Sequence, residues 1–142
     1  ENDKINIDDM QISFKRNPHQ IITYSTKLEA EGIKVVYSSD TGYVGNSLEE
    51  FAKNANLLIC ESTFLKGQTR KGNNHLFAYE AANIAKRANV DRLLLTHFWP
   101  SIDKQKYIEE AKEIFTNVEA AEEGKTLVLR RKYETSIRII NI

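Results

Sequence analysis

A chain of 142 residues is long enough for one domain with a buried core. Its 20 basic and 20 acidic residues cancel, which excludes a global basic field that would point to nucleic acid or an anionic membrane surface. One cysteine, Cys60, rules out an internal disulfide and suits a reducing cytoplasm; no apolar run is long enough to span a bilayer.

The amino-terminal stretch reads as extended structure. "QISFKRN" and "QIITYSTKLEAEG" carry β-branched and aromatic residues, and Glu31-Gly32 signals a turn. "IKVVYSSD" follows as a buried strand ending at Asp40. From there strands alternate with helices. Ser47 and Glu50 have capping-box spacing at the start of "SLEEFAKNA". "NLLICEST" is a second buried strand, ending around Glu61. After the loop "KGQTRKGNN", a helix is expected from about His75 to Ala88, with Phe77, Ala78, Ala81, Ala82, Ala85 and Ala88 on one face. "DRLLLTHF" is the third buried strand, and Pro100 forces it to stop near His97. Asp103 is the expected cap of a helix over "KQKYIEEAKEIFTNV", and "KTLVLRRKYETSIRIINI" supplies one or two closing strands. The pattern is α/β.

Three consecutive buried strands thus end in Asp40, Glu61 and His97. In a parallel sheet those ends share one edge, where α/β folds place their ligands. Two carboxylates and an imidazole on one rim suit a divalent transition metal. A second reading stays open at this point: Asp40 caps a turn with Thr41 and Gly42, Glu61 is a solvated acid, and His97 is structural.

The segments "VVYSSDTG", "NLLICESTF" and "HLFAYEAANIAKRANVDRLLLTHF", in this order, resemble the C-terminal half of a metallo-β-lactamase-fold hydrolase in the branch near ribonuclease Z. The resemblance implies half of an αββα sandwich, with a mixed sheet covered by helices on one face. It also implies two divalent metal ions, Zn or Mn. Asp40 matches the bridging aspartate of an "SGDT"-type motif, and His97 the last metal-binding histidine in an "LTHF" context. His19, in "PHQIITY", matches an earlier metal ligand in an "H-x-x-P" motif whose proline this chain lacks. His75 matches a histidine that assists the leaving group or the developing charge, and Glu61 becomes an acid that orients His75 or a metal ligand.

The implied chemistry is attack of a metal-activated water on a phosphodiester, either a small molecule or RNA. "CEST" and "HLF" stand where ribonuclease Z has "HEAT" and "HST", which favours a phosphodiesterase-like relative over tRNA 3′-end processing. The competing class is a non-catalytic α/β interaction or oligomerisation module. The family's H-x-H-x-D-H motif does not occur, since the only histidines are His19, His75 and His97. Residues 1–142 are therefore expected to be the C-terminal part of the domain, inactive alone. A homo-oligomer, or pairing with the missing half, is expected to cover the apolar face of the sheet.

Overall fold

The structure, a computed structural model, describes residues 4–130 and 137–141. Four antiparallel strands open the chain: β1 (Lys4–Ile7), β2 (Met10–Arg16), β3 (Tyr24–Ala30) and β4 (Ile33–Tyr37). Glu31 and Gly32 join β3 to β4 with φ of 49° and 76°, the left-handed pair that a two-residue hairpin requires. The chain then passes through α1 (Ser47–Phe51), β5 (Leu57–Glu61), α2 (Ala78–Arg87), β6 (Leu93–Thr96), α3 (Lys104–Lys112) and β7 (Val118–Ala120). Strands β4 to β7 pair in parallel and complete a seven-stranded sheet in sequence order. A separate hairpin, β8 (Thr126–Arg130) with β9 (Ile137–Asn141), ends the described chain; residues 131–136 of the expected closing strands lie outside the described residues.

The central strands read as unbroken apolar runs because both their faces are covered. Val36, Leu58, Cys60, Leu93 and Leu95 face the helices, against Ala78, Ala81, Ala82 and Ala85 of α2. Four alanines on one helix face let α2 lie close to the sheet. On the other side Ile33, Val35, Leu57 and Leu94 pack beneath Leu127 and Leu129 of β8. The expected open face is thus partly closed by the chain's own hairpin. Exposed apolar side chains remain at Ile5 and Ile7 on the edge strand β1, and at Ile21, Ile22 and Tyr24 before and at the start of β3.

Three local expectations need correction. The α1 cap is Asn46 without a side-chain cap bond, and the Ser47 hydroxyl instead faces the Val44 carbonyl at 3.5 Å. Helix α2 starts at Ala78, so His75 is not at a helix N-terminus and the helix dipole does not govern it. The cause is long-range: Glu61 takes the Leu76 amide, and Phe77 forms a parallel bridge with Phe64, holding Phe77 extended. Helix α3 ends at Lys112, and Val118, expected at its far end, begins the parallel edge strand β7. Asp103 caps α3 as expected, accepting from the Gln105 amide at 2.9 Å. Among the described residues no helix is long and apolar enough to cross a membrane.

Candidate metal centre

The carboxyl ends of β4, β5 and β6 meet at one edge of the sheet. Glu61 is the last residue of β5 and only 1% exposed. Asp40 follows β4 by three residues, and His97 directly follows β6. Two of these exits pass through left-handed backbone, at Ser39 (φ 52°) and at His97 itself (φ 62°). Such conformations are unfavourable for residues with a Cβ and concentrate at functional sites. Ser39 occupies the glycine position of the "SGDT"-type motif. The turn at His97 carries the side chain out of the strand's alternation and onto the rim.

Glu61 is the hub of the edge. Its Oε1 accepts from the Thr41 amide at 2.9 Å and from Nδ1 of His75 at 2.9 Å. Its Oε2 accepts from the Leu76 amide (3.0 Å), the Thr63 amide (3.3 Å) and the Thr63 hydroxyl (3.0 Å). These five donors occupy every lone pair a carboxylate offers. One ligand-type atom from each of Asp40, Glu61, His75 and His97 lies within 4.8 Å of the others. Within that group Glu61 has no lone pair left for a cation, so it positions its neighbours.

The same network fixes the histidine tautomers. Glu61 as a carboxylate can only accept, so the Thr63 hydroxyl gives it its single proton. Thr63 must then accept from Nδ1–H of His97, 2.8 Å away. The lone pair of His97 is left on Nε2, which stands 3.7 Å from Oδ1 of Asp40. His75 likewise donates from Nδ1 and keeps Nε2 free; its ring centroid lies 5.1 Å from that of His97. An imidazole lone pair facing a carboxylate, with its other nitrogen held by a hydrogen bond, is the donor set of a histidine–carboxylate metal site. The residues present fit a divalent ion.

Asp40 is held through its backbone. Its carbonyl accepts from Thr23 Oγ1 (2.7 Å) and Asn17 Nδ2 (3.1 Å), and Asn17 also donates to the Ser38 carbonyl at 2.7 Å. Gly42 sits so close to the loop before α2 that an added Cβ would lie 1.7 Å from the Asn73 carbonyl oxygen. The Asn73 side chain bonds both the amide and the carbonyl of Tyr43, at 3.1 and 2.7 Å. His19, grouped in sequence with Asp40 and His97, stands at the margin. Its Nδ1 bonds the Ile21 carbonyl at 3.1 Å and its ring lies 5.1 Å from that of His75, outside the four-residue group. A larger cleft of about 430 Å³ at the other end of β4, near Glu29 and Asn56, has no histidine in its walls.

A family model described as the beta-lactamase superfamily domain matches residues 6–98. The chain belongs to the beta-lactamase superfamily. Within it, the ribonuclease Z of Lachnoclostridium phytofermentans is 36% identical over 105 residues, 71% of this chain and 34% of that protein. The ribonuclease Z of Clostridium acetobutylicum is 36% identical over 121 residues, 76% of this chain and 39% of that one. Among solved structures, the metallo-beta-lactamase fold protein YhfI from Bacillus subtilis is 31% identical with a TM-score of 0.78, covering 84% of this chain and 49% of YhfI. The chain spans between a third and two-fifths of the length of these curated ribonuclease Z relatives. Its mixed sheet, helix-covered on one face, is therefore the metallo-β-lactamase fold.

Thr63, which joins Glu61 to His97, is not marked by composition or periodicity in the sequence of this superfamily member. Its one signal was its place two residues beyond Glu61 in "CEST". Asn17 and Thr23, which grip the Asp40 carbonyl, leave no signal, because their partners lie in the loop after β4, far away in the chain.

Proposed function

We propose that residues 1–142 form the C-terminal part of a dinuclear, metal-dependent phosphodiesterase of the beta-lactamase superfamily. The observation that carries this reading is the Glu61 network, which holds His75 directly and His97 through Thr63, with Asp40 across from His97. Asp40 and His97 are the ligands this chain contributes, with His19 completing the set through its Nε2. When bound, divalent ions such as Zn or Mn supply a water of near-neutral pKa and neutralise charge on the phosphoryl oxygens. His75 acts at the leaving group. With Nδ1–H given to Glu61, a second proton taken up on Nε2 would be the one available to the departing oxygen, and the Glu61 carboxylate would offset the charge of that imidazolium.

The ribonuclease Z relatives support RNA as one form of the phosphodiester substrate. Asp40, His97 and His19 alone cannot hold two metals firmly, so the remaining ligands come from a complementary segment, or from a second copy, that also covers Ile5, Ile7, Ile21 and Ile22. The lone cysteine, buried and unpaired, suits a cytoplasmic location.

The test is metal content and hydrolysis of bis(p-nitrophenyl) phosphate, measured on the protein that carries this segment together with its complementary part. Metal-loaded protein should cleave the diester, chelation should abolish cleavage, and the 142-residue chain alone should be inactive. A metal-loaded protein that cleaves no phosphodiester would overturn the reading.

A further inference from the structure

Beside the candidate metal centre, a cleft of about 290 Å³ is lined by Phe64, Phe98 and Trp99 together with His75 and His97. Its volume lies at the lower end of the range of small-molecule sites, room for one ring system and not for a folded polymer. The walls are aromatic, and one of them is presented outward: Trp99 is 48% exposed although it follows a buried strand. That exposure is not looseness. The Trp99 amide donates to the Tyr107 hydroxyl at 3.4 Å, and this hydroxyl donates to the Thr63 carbonyl at 3.2 Å. The Ile102 amide closes the turn onto the Trp99 carbonyl at 3.0 Å. Phe98 rests on the Tyr107 ring with centroids 4.8 Å apart. Phe64 packs on Phe77 at 5.6 Å and meets the His75 ring edge-on at 6.4 Å. The aromatic wall is therefore braced through Tyr107 to Thr63, the residue that holds His97.

An aromatic slot that shares His75 and His97 with the proposed phosphodiester site suits a planar group beside the scissile phosphorus. Nucleobases are the planar groups that phosphodiesters carry, and every base offers a π-face to an aromatic side chain. We infer that this cleft is a specificity subsite that stacks the nucleobase next to the scissile phosphate against Trp99, an inference that rests on the phosphodiesterase reading. Trp99 then selects nucleotide esters over alkyl esters without touching the reacting atoms.

The experiment compares two diesters with a common leaving group, thymidine 5′-(p-nitrophenyl phosphate) and methyl p-nitrophenyl phosphate, on the metal-loaded, fully assembled protein. The ratio of their kcat/KM values reports the subsite, and a general loss of folding or metal does not move it. Trp99→Ala should lower the ratio roughly 10- to 100-fold, the worth of one stacked base. Trp99→Leu, which keeps apolar bulk without a ring and protects against a folding failure of the alanine variant, should lower it nearly as far, and Trp99→Phe should retain most of it. An unchanged ratio in the alanine or leucine variant would overturn the subsite while leaving the phosphodiesterase reading standing. If the protein cleaves neither ester, that reading fails and binding alone decides the subsite. Trp99 is the single tryptophan of this chain, so its emission is the difference between wild type and Trp99→Phe. Adenosine 5′-monophosphate should quench that emission saturably and ribose 5-phosphate should not. Equal responses to the two, or none, would overturn stacking of a base on Trp99.

Discussion

The hydroxyl of Thr63 lies 2.8 Å from Nδ1 of His97, and the direction of that bond is set by Glu61 on its other side. Removing the hydroxyl while keeping the shape should therefore free the His97 tautomer. Thr63→Val is expected to weaken metal binding roughly 10- to 100-fold, the usual effect of losing the group that holds a ligand histidine. Thr63→Ser should stay close to wild type. Competition with a chelator of known affinity measures both.

Glu61→Gln tests the hub. The amide has one acceptor oxygen and would point donors at the amides of Thr41, Thr63 or Leu76, which are already donors. Leaving buried donors without partners should cost on the order of 2–4 kcal/mol of stability. Urea unfolding of wild type and variant reads the difference.

The roles of the ligands and of His75 separate by metal content. His97→Ala and Asp40→Ala should lose metal and with it activity. His75→Ala should retain metal while slowing diester cleavage roughly 10²- to 10⁴-fold, the range of a general acid. A p-nitrophenolate leaving group needs little protonation and should suffer much less. Elemental analysis together with both rates checks the division, and loss of metal in the His75 variant would contradict it.

Gly42→Ala places a Cβ against the Asn73 carbonyl oxygen at 1.7 Å, a contact the backbone must move to relieve. The loop that carries Asp40 and the loop before α2 would be forced apart. Roughly 1–3 kcal/mol of stability should be lost, as for other overpacked sites, and metal affinity should fall with it. Calorimetry and metal titration on the variant test the pairing of the two losses.

Cys60 should be chemically silent in the native state. It is fully buried, and burial first, then the neighbouring Glu61 charge, pushes its thiol far above the ordinary cysteine range. An aromatic disulfide reagent should label it only at the rate of unfolding. Fast stoichiometric labelling of folded protein at neutral pH would contradict this.

The three central strands were legible because burial on both faces leaves continuous apolar runs, and because each run stops at a visible turn or proline. Asp40, Glu61 and His97 followed from that alone. The start of α2 was not legible. Residues 75–77 fit the helical alternation, but a carboxylate from β5 captures the Leu76 amide, and no local pattern records that competitor. The end of α3 is hidden in the sequence for a related reason. Ile114, Phe115 and Val118 prolong the helical stripe on paper, yet Val118 is taken up by pairing with Leu93 of β6. The place of His19 at the margin of the site depends on the loop between β2 and β3, where its Nδ1 meets the Ile21 carbonyl.

One buried carboxylate serving two histidines makes the positional errors of this site common to all its parts. When β5 shifts against its neighbours, the Thr41 amide beside Asp40, the His75 ring and the Thr63 arm under His97 shift with it. Their spacing is referenced to a single residue and not to three independent strands.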